Sequence, residues 1–245
     1  GPTMGTSYKV VIKSDQKIDT EVISLQIDSL LKVVNQSMST YIDNSEISIF
    51  NKTKKDSPIR ISDHFNYVLE KSFYYNAISG KMFDITISPL YELWGFKWNV
   101  DPYEPTKNQI SQAMKLIGME KVILKNQEIY KTDDKVSIDV NAIAKGYGVD
   151  LISDYIANLG HVNYFVEIGG EIKAKSSNKD SWKVGIQNPN KFGDFINSVY
   201  LSNNSIATSG NYFNYIEYSD TKSKRTHIIN PITGYPLEVK DGVIS

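Results

Sequence analysis

Ser137-Ile138-Asp139-Val140-Asn141-Ala142-Ile143-Ala144-Lys145-Gly146-Tyr147-Gly148-Val149-Asp150 is the stretch around which the chain is organised. Val136, Ile138 and Val140 alternate with polar residues, which predicts a short strand that ends in an acid. Small residues and two glycines follow, with Lys145 among them, and an apolar run at helical spacing continues through Leu151, Ile152, Tyr155, Ile156 and Leu159. A strand that breaks through small residues into a helix presents free backbone N–H groups, which suit an anion. Lys145 adds a mobile positive charge and Asp139 a carboxylate, a combination able to hold a phosphate and its metal ion. The order Ala-Lys-Gly-Tyr-Gly is not the general phosphate loop, which needs Gly, four residues and then Gly-Lys-Ser/Thr. By spacing alone, the stretch also fits a tight strand-to-helix connection with a solvated lysine.

Upstream, Tyr8, Val10 and Ile12 alternate with lysines and predict a half-buried strand. Asp19 can cap a helix whose apolar face is Ile23, Ile27, Leu30, Leu31, Val34 and Met38. Ser39 to Asn51 is polar and turn-rich and reads as a surface loop. Ser62 caps a second helix through Phe65, Val68, Leu69, Phe73 and Ala77, with Gly80 as its stop. Lys81 to Leu90 predicts a short strand ending at proline, and the aromatics from Tyr91 to Phe96 predict core. Thr106 and Gln109 form a capping box for a third helix through Ile110, Ala113, Met114 and Ile117, stopped by Gly118. Val122 to Leu124, Glu128 to Lys131 and Val136 to Val140 are three predicted strands leading into the central stretch.

Downstream, Tyr164 to Ile168 reads as a buried strand before Gly169-Gly170, and Trp182 to Gln187 as another, closed by Asn188-Pro189. Ser198 to Leu201 and Ser205 to Ala207 precede Thr208-Ser209-Gly210-Asn211-Tyr212. Tyr215 to Tyr218 and Thr226 to Ile229 predict a hairpin, followed by a turn cluster from Asn230 to Pro236. Helices mixed with meandering strands, without regular strand–helix alternation, predict an α+β domain.

The 245 residues carry a formal net charge of -1, 40% hydrophobic residues and no cysteine. That bulk can form a core without disulfides, and the charge provides no field for nucleic acid. A disulfide framework, a thiolate zinc site and a cysteine nucleophile are excluded. No apolar run approaches the roughly 20 residues of a membrane span, and no segment reads as a signal peptide. Of the three histidines, His64 and His161 read as ordinary. His227 is the natural candidate for proton transfer near neutral pH, and a structural strand histidine is the alternative. Gly146 and Gly148 belong to no dinucleotide fingerprint, because Leu151 stands where the third glycine would be.

Several motifs occur in order: Met4-Gly5-Thr6, Ser39-Thr40-Tyr41 with Ser45-Glu46-Ile47-Ser48, and Phe83-Asp84-Ile85-Thr86 with Pro89-Leu90 and Trp94-Gly95-Phe96. Asp139 to Gly146, Ile168-Gly169-Gly170, Thr208-Ser209-Gly210, and His227-Ile228-Ile229 with Pro231 and Thr233-Gly234 complete the series. Together they resemble the ApbE-like flavin transferases, the FAD:protein FMN transferases, from residue 4 to about 238.

The resemblance implies a single α+β, T-fold-like domain of mixed, largely antiparallel sheets with flanking helices over residues 1–245. It implies an enzyme that binds FAD and Mg2+ and moves FMN onto a Thr or Ser hydroxyl of an acceptor flavoprotein, releasing AMP. Carried over by motif, Met4, Tyr41, Met82, Phe83, Asp84, Asp139, Lys145 and Ile229 would contact FAD. Ala142 would offer its carbonyl to the metal, and His227 would be the base acting on the acceptor hydroxyl. A magnesium-dependent FAD pyrophosphatase and a non-catalytic flavin-binding protein are the alternatives. By resemblance the setting is bacterial and extracytoplasmic, either periplasmic or as a membrane-anchored lipoprotein. Asn230 stands where the family usually has Asp, which leaves that position a turn-forming role. The family's Ala-Asp-Ala…Thr metal element would follow Ser245, so the expectation is a chain without it: either the sequence continues or the protein lacks the element.

Overall fold

Tyr8, Val10 and Ile12 alternate inward on the strand Thr6–Ile12, which pairs antiparallel with Tyr164–Ile168 in the register Tyr8↔Ile168 to Ile12↔Tyr164. The computed structural model describes residues 1–96, 103–177, 181–188, 191, 193–210, 215–240 and 243–244. Pro189, Asn211, Tyr212 and Ser245, which figure in the sequence reading, lie outside the described residues. Contacts group the chain into two compact units, Gly1–Asn35 with Ile143–Ser209, and Gln36–Ala142 with Gly210–Ser245.

The first unit is built on a five-stranded sheet in the order Pro2–Thr3, Thr6–Ile12, Tyr164–Ile168, Glu171–Lys175, Asn204–Ile206. Successive strand residues face opposite sides, and here both sides are apolar. Tyr164, Val166 and Ile168 pack with Ile27 and Leu31 of the helix Thr20–Met38 and with Val149, Ile152 and Ile156 of the helix Asn141–Asn158. Phe165, Ile172 and Ala174 take the other side, against Trp182, Val184, Val199 and Leu201 of the hairpin Trp182–Gln187 with Phe195–Leu201. Burying each such large side chain contributes roughly 1.5–3 kcal/mol. Asp19 caps the first helix as predicted, its Oδ1 accepting from Val22 N at 3.1 Å.

The second unit holds a three-stranded sheet, Ile59–Arg60, Glu128–Lys131 and Val122–Lys125, and a four-stranded one, Tyr215–Glu217, Lys224–Ile229, Pro236–Lys240 and Val243–Ile244. Ser62 caps the helix Asp63–Ile78, and the Thr106–Gln109 capping box starts the helix Lys107–Met114, both as predicted. The aromatic cluster is core: Trp94 is buried with Leu90, Ile110, Ala113, Ile117, Tyr218 and Ile229. Trp94 Nε1 donates to Gly234 O at 2.8 Å, and Tyr218 OH donates to Trp94 O at 2.7 Å. The α+β class is borne out, and the strand pairs described are antiparallel. Among the described residues, no helix is long and apolar enough to cross a membrane.

Three local expectations are corrected. Ser39 to Asn51 is not all loop: Ser45 caps the helix Glu46–Lys52, accepting from Ser48 N, and Ile47, Ser48 and Phe50 are buried. The acids that made this stretch look like a surface loop include Glu46, which suits a helix's first turn. Lys81 to Leu90 is a turn rather than a strand, and Pro89 sits in the first turn of the helix Ser88–Leu93. Val136 to Val140 alternates as predicted, with Val136, Ile138 and Val140 buried, yet it joins no sheet. Its central residue is bonded by a side chain instead. Asn51 Oδ1 accepts from Ile138 N at 2.8 Å, and Asn51 Nδ2 donates to Ile138 O at 2.9 Å.

Candidate functional site

The wholly buried Lys131 fixes the approach to Asp139. Its ammonium donates to Val136 O at 2.8 Å and to Asn51 O at 2.9 Å and lies 5.6 Å from the centre of the Phe50 ring. Burial holds its pKa below the usual lysine range. One cation therefore ties down the segment and the residue that braces it. Asp139 N then donates to Ile85 O at 2.8 Å, while Asp139 Oδ1 accepts from Asn141 N at 2.7 Å. The carboxylate thus stands where the helix Asn141–Asn158 begins.

Across that Asp139–Ile85 bond lies the second acid. Asp84 Oδ1 accepts from Thr86 N at 2.8 Å and from Thr86 Oγ1 at 2.5 Å, which closes a tight local turn. Burial pushes the Asp84 carboxyl above the usual carboxylate range, against the bonds from Thr86. Burial, and then the charge of Asp139, pushes the nearby Tyr91 hydroxyl up to about 12. Phe83, one residue earlier, is held at both backbone ends: its N donates to Ser79 Oγ at 3.0 Å and its O accepts from Asn76 Nδ2 at 2.7 Å. Met82 is about half exposed.

His227 sits on the strand Lys224–Ile229, where the pairing with Pro236–Lys240 is irregular. Arg225 pairs with Glu238 and Ile229 with Pro236, so three residues face one between those pairs. Such bulges re-aim side chains, and His227 is the middle residue of this one. Arg225 anchors the strand through Glu104 at 2.9 Å and Glu238 at 3.3 Å. Ile229 is a core residue, so its side chain faces inward. Asn230 keeps the turn-forming role, its Oδ1 accepting from Ile232 N at 2.8 Å and Thr233 N at 3.2 Å.

Tyr41 is 90% exposed in a turn knit by its own serines. Ser45 Oγ donates to Ser39 O at 2.7 Å, and Tyr41 N donates to Ser39 Oγ at 3.3 Å. A large ring so exposed has no packing role. Ala142, also exposed, lies in the first turn of the helix Asn141–Asn158. Tyr41, Met82, Phe83, Asp84, Asp139, Ala142, His227 and Ile229 thus all belong to the second unit.

Met4 and Lys145 belong to the first unit. Met4 and Gly5 form the two-residue turn between Thr3 and Thr6, with φ of 47° and 71°. Positive φ at both positions marks the hairpin turn that suits strand twist. Lys145 lies inside the helix Asn141–Asn158, not in a loop, because the helix starts earlier than the glycines suggest. Its Nζ is 2.9 Å from Glu171 Oε2, yet that oxygen lacks an aligned hydrogen bond, so the contact is Coulombic. The two glycines differ. A Cβ on Gly148 would come within 3.0 Å of Ile168 Cδ1 and 3.1 Å of Met4 Cε, so glycine there permits close packing. Beside Gly146 there is open space.

Sequence reasoning missed Asn51, Thr86, Lys131 and Glu171. Their partners are distant in the chain or depend on side-chain direction, so periodicity carries no signal for them. Among the described residues, no group of three or more His, Cys, Asp or Glu is placed to hold a metal ion.

A model of the ApbE family matches residues 4–243. The chain is 35% identical over 242 residues to an FAD:protein FMN transferase of Vibrio cholerae, covering 97% of this chain and 72% of that protein. It is 37% identical over 250 residues to the protein of the same name from Haemophilus influenzae, with 97% and 72% covered. The crystal structure of the Pseudomonas stutzeri flavinyl transferase ApbE, apo form, superposes with a TM-score of 0.84 at 31% identity, covering 97% of this chain and 75% of that one.

Proposed function

Because the chain belongs to the ApbE family, we propose that it is an FAD:protein FMN transferase acting on a Thr or Ser hydroxyl of an acceptor flavoprotein. The match over nearly the whole chain to proteins of that name carries the reading. In the proposed reaction the acceptor oxygen attacks the FMN phosphorus of FAD. The bond from that phosphorus to the AMP oxygen breaks, AMP leaves, and the hydroxyl proton passes to His227. Phosphoryl chemistry of this kind is mainly positioning and charge neutralisation. His227, on the irregular stretch of its strand, and the two braced acids Asp84 and Asp139 suit that demand.

Magnesium belongs to the same proposal. It prefers oxygen ligands and keeps several waters, and when bound it would neutralise pyrophosphate charge. The Ala142 carbonyl is a donor of the right kind, and phosphate oxygens and water would ligate beside it. Tyr41 would cover a flavin or adenine ring, and Lys145 would meet a phosphate oxygen.

The test is incubation with FAD, magnesium and an acceptor flavoprotein, read by mass spectrometry. The proposal expects the acceptor to gain FMN on a Thr or Ser while AMP is released. Free FMN and AMP with an unlabelled acceptor would make the chain a pyrophosphatase. Bound but unchanged FAD would make it a flavin-binding protein.

A further inference from the structure

We propose that Thr86 is a positioning residue for the Asp84 carboxylate in FAD binding, an assignment that rests on the function proposed above. Thr86 is fully buried, so its hydroxyl must find its partners inside the protein. A hydroxyl has one proton to give and lone pairs to accept with. Gly118 N donates to Thr86 Oγ1 at 2.6 Å. A backbone N–H cannot accept, so this contact does not use the hydroxyl proton. That proton is directed to Asp84 Oδ1, 2.5 Å away. Thr86 N donates to the same oxygen at 2.8 Å. One residue therefore ties Asp84 Oδ1 twice and sets the plane of the carboxylate, which leaves Oδ2 to face a ligand.

The donor behind Thr86 is itself fixed. Gly118 has a φ of 128°, and a Cβ there would meet the Glu120 carboxyl, so only glycine fits without strain. Ile85, between the two residues of the turn, accepts from Asp139 N at 2.8 Å. The turn thus orients Asp84 by a hydroxyl and Asp139 by a carbonyl. Besides burial and Thr86, the charges acting on Asp84 are Glu120, which raises its pKa, and Lys121, which lowers it. Lys121 also donates to Ile117 O at 2.8 Å.

The experiment titrates FAD into the full chain across pH, by flavin fluorescence, for wild type, Thr86→Ser and Thr86→Val, with Tm recorded for each. Losing a hydrogen bond to a charged group predicts FAD affinity roughly tenfold weaker or more in Thr86→Val. The bonds from Thr86 lower the Asp84 pKa, so their loss moves the acid-side midpoint of FAD binding to higher pH. Thr86→Ser keeps the hydroxyl and both wild-type values. A Thr86→Val protein with lower Tm but unchanged affinity and midpoint would overturn the assignment and leave Thr86 a packing residue. Should valine not fold there, Thr86→Ala, which demands less space, is judged by the same two readouts. Transfer of FMN by the wild type is measured separately: a chain that binds FAD but transfers nothing ends the transferase reading, and the Thr86 test still decides the positioning role.

Discussion

The strand Tyr164–Ile168 and the segment from Val136 to Val140 bury the same alternating apolar pattern but satisfy their backbones differently. The strand has backbone ladders on both edges, from Thr6–Ile12 and Glu171–Lys175. The segment has the side chains of Asn51 and Lys131, a local turn bond from Val136 N to Asp133 O, and a backbone bond from Asp139 N to Ile85 O. Alternation therefore reports burial and not the pairing partner. The difference also separates roles: the laddered strand carries core, while the side-chain-braced segment leads into Asp139 and the irregular strand carries His227.

The largest expected effect tests the irregular side of that contrast. His227→Ala should lower the rate of FMN transfer by about 10²–10⁴ while Tm and FAD affinity stay near wild type. A wild-type transfer rate in the variant would return His227 to a structural role. On the regular side, Ile152→Ala empties a fully buried core position and should cost about 2–5 kcal/mol in urea unfolding. The folded variant should bind FAD normally; weakened binding would break the division between the regions.

A smaller effect separates two glycines on one helix. Gly146 faces open space, so Gly146→Ala should stabilise the chain by about 0.5–1 kcal/mol. Gly148→Ala should destabilise it, because its Cβ would press on Ile168 and Met4. Equal shifts in thermal unfolding would contradict the packing described.

Asp84 supplies the pH test. Burial raises its folded pKa, so its contribution to stability is present below the unfolded pKa and lost as pH rises through the folded one. Ionised Asp84 therefore opposes folding at neutral pH. Asp84→Asn, which can still accept from Thr86, should be more stable than wild type near pH 7, with the gap closing as pH falls below the carboxylate range. Its FAD affinity should drop. Lower stability at neutral pH would refute the burial argument.

Much of this was legible in the chain. The Thr106–Gln109 capping box, the Ser62 cap and the Asp19 cap are local signals, and each stands where the spacing placed it. The hairpin of Tyr215–Glu217 with Lys224–Ile229 was equally readable. The side-chain bracing was not. Asn51 meets Ile138 across 87 positions of sequence, and no window joins them. The bulge at His227 was hidden for a related reason: a strand pattern shows its own alternation but not the count of residues opposite. The helix Glu46–Lys52 was obscured by its polar run, although Ser45 offered a cap.

The most direct measurement pairs two variants, Asn51→Ala and Ile152→Ala, each assayed for unfolding free energy and for FAD affinity. Asn51→Ala leaves Ile138 N and O without their partners, a cost of about 1–3 kcal/mol per buried group. It also loosens the segment that ends in Asp139. The account predicts that Asn51→Ala loses stability and FAD affinity together, whereas Ile152→Ala loses stability alone. If both variants lose stability and keep wild-type FAD affinity, the side-chain-braced segment does not serve the flavin site, and the account is contradicted.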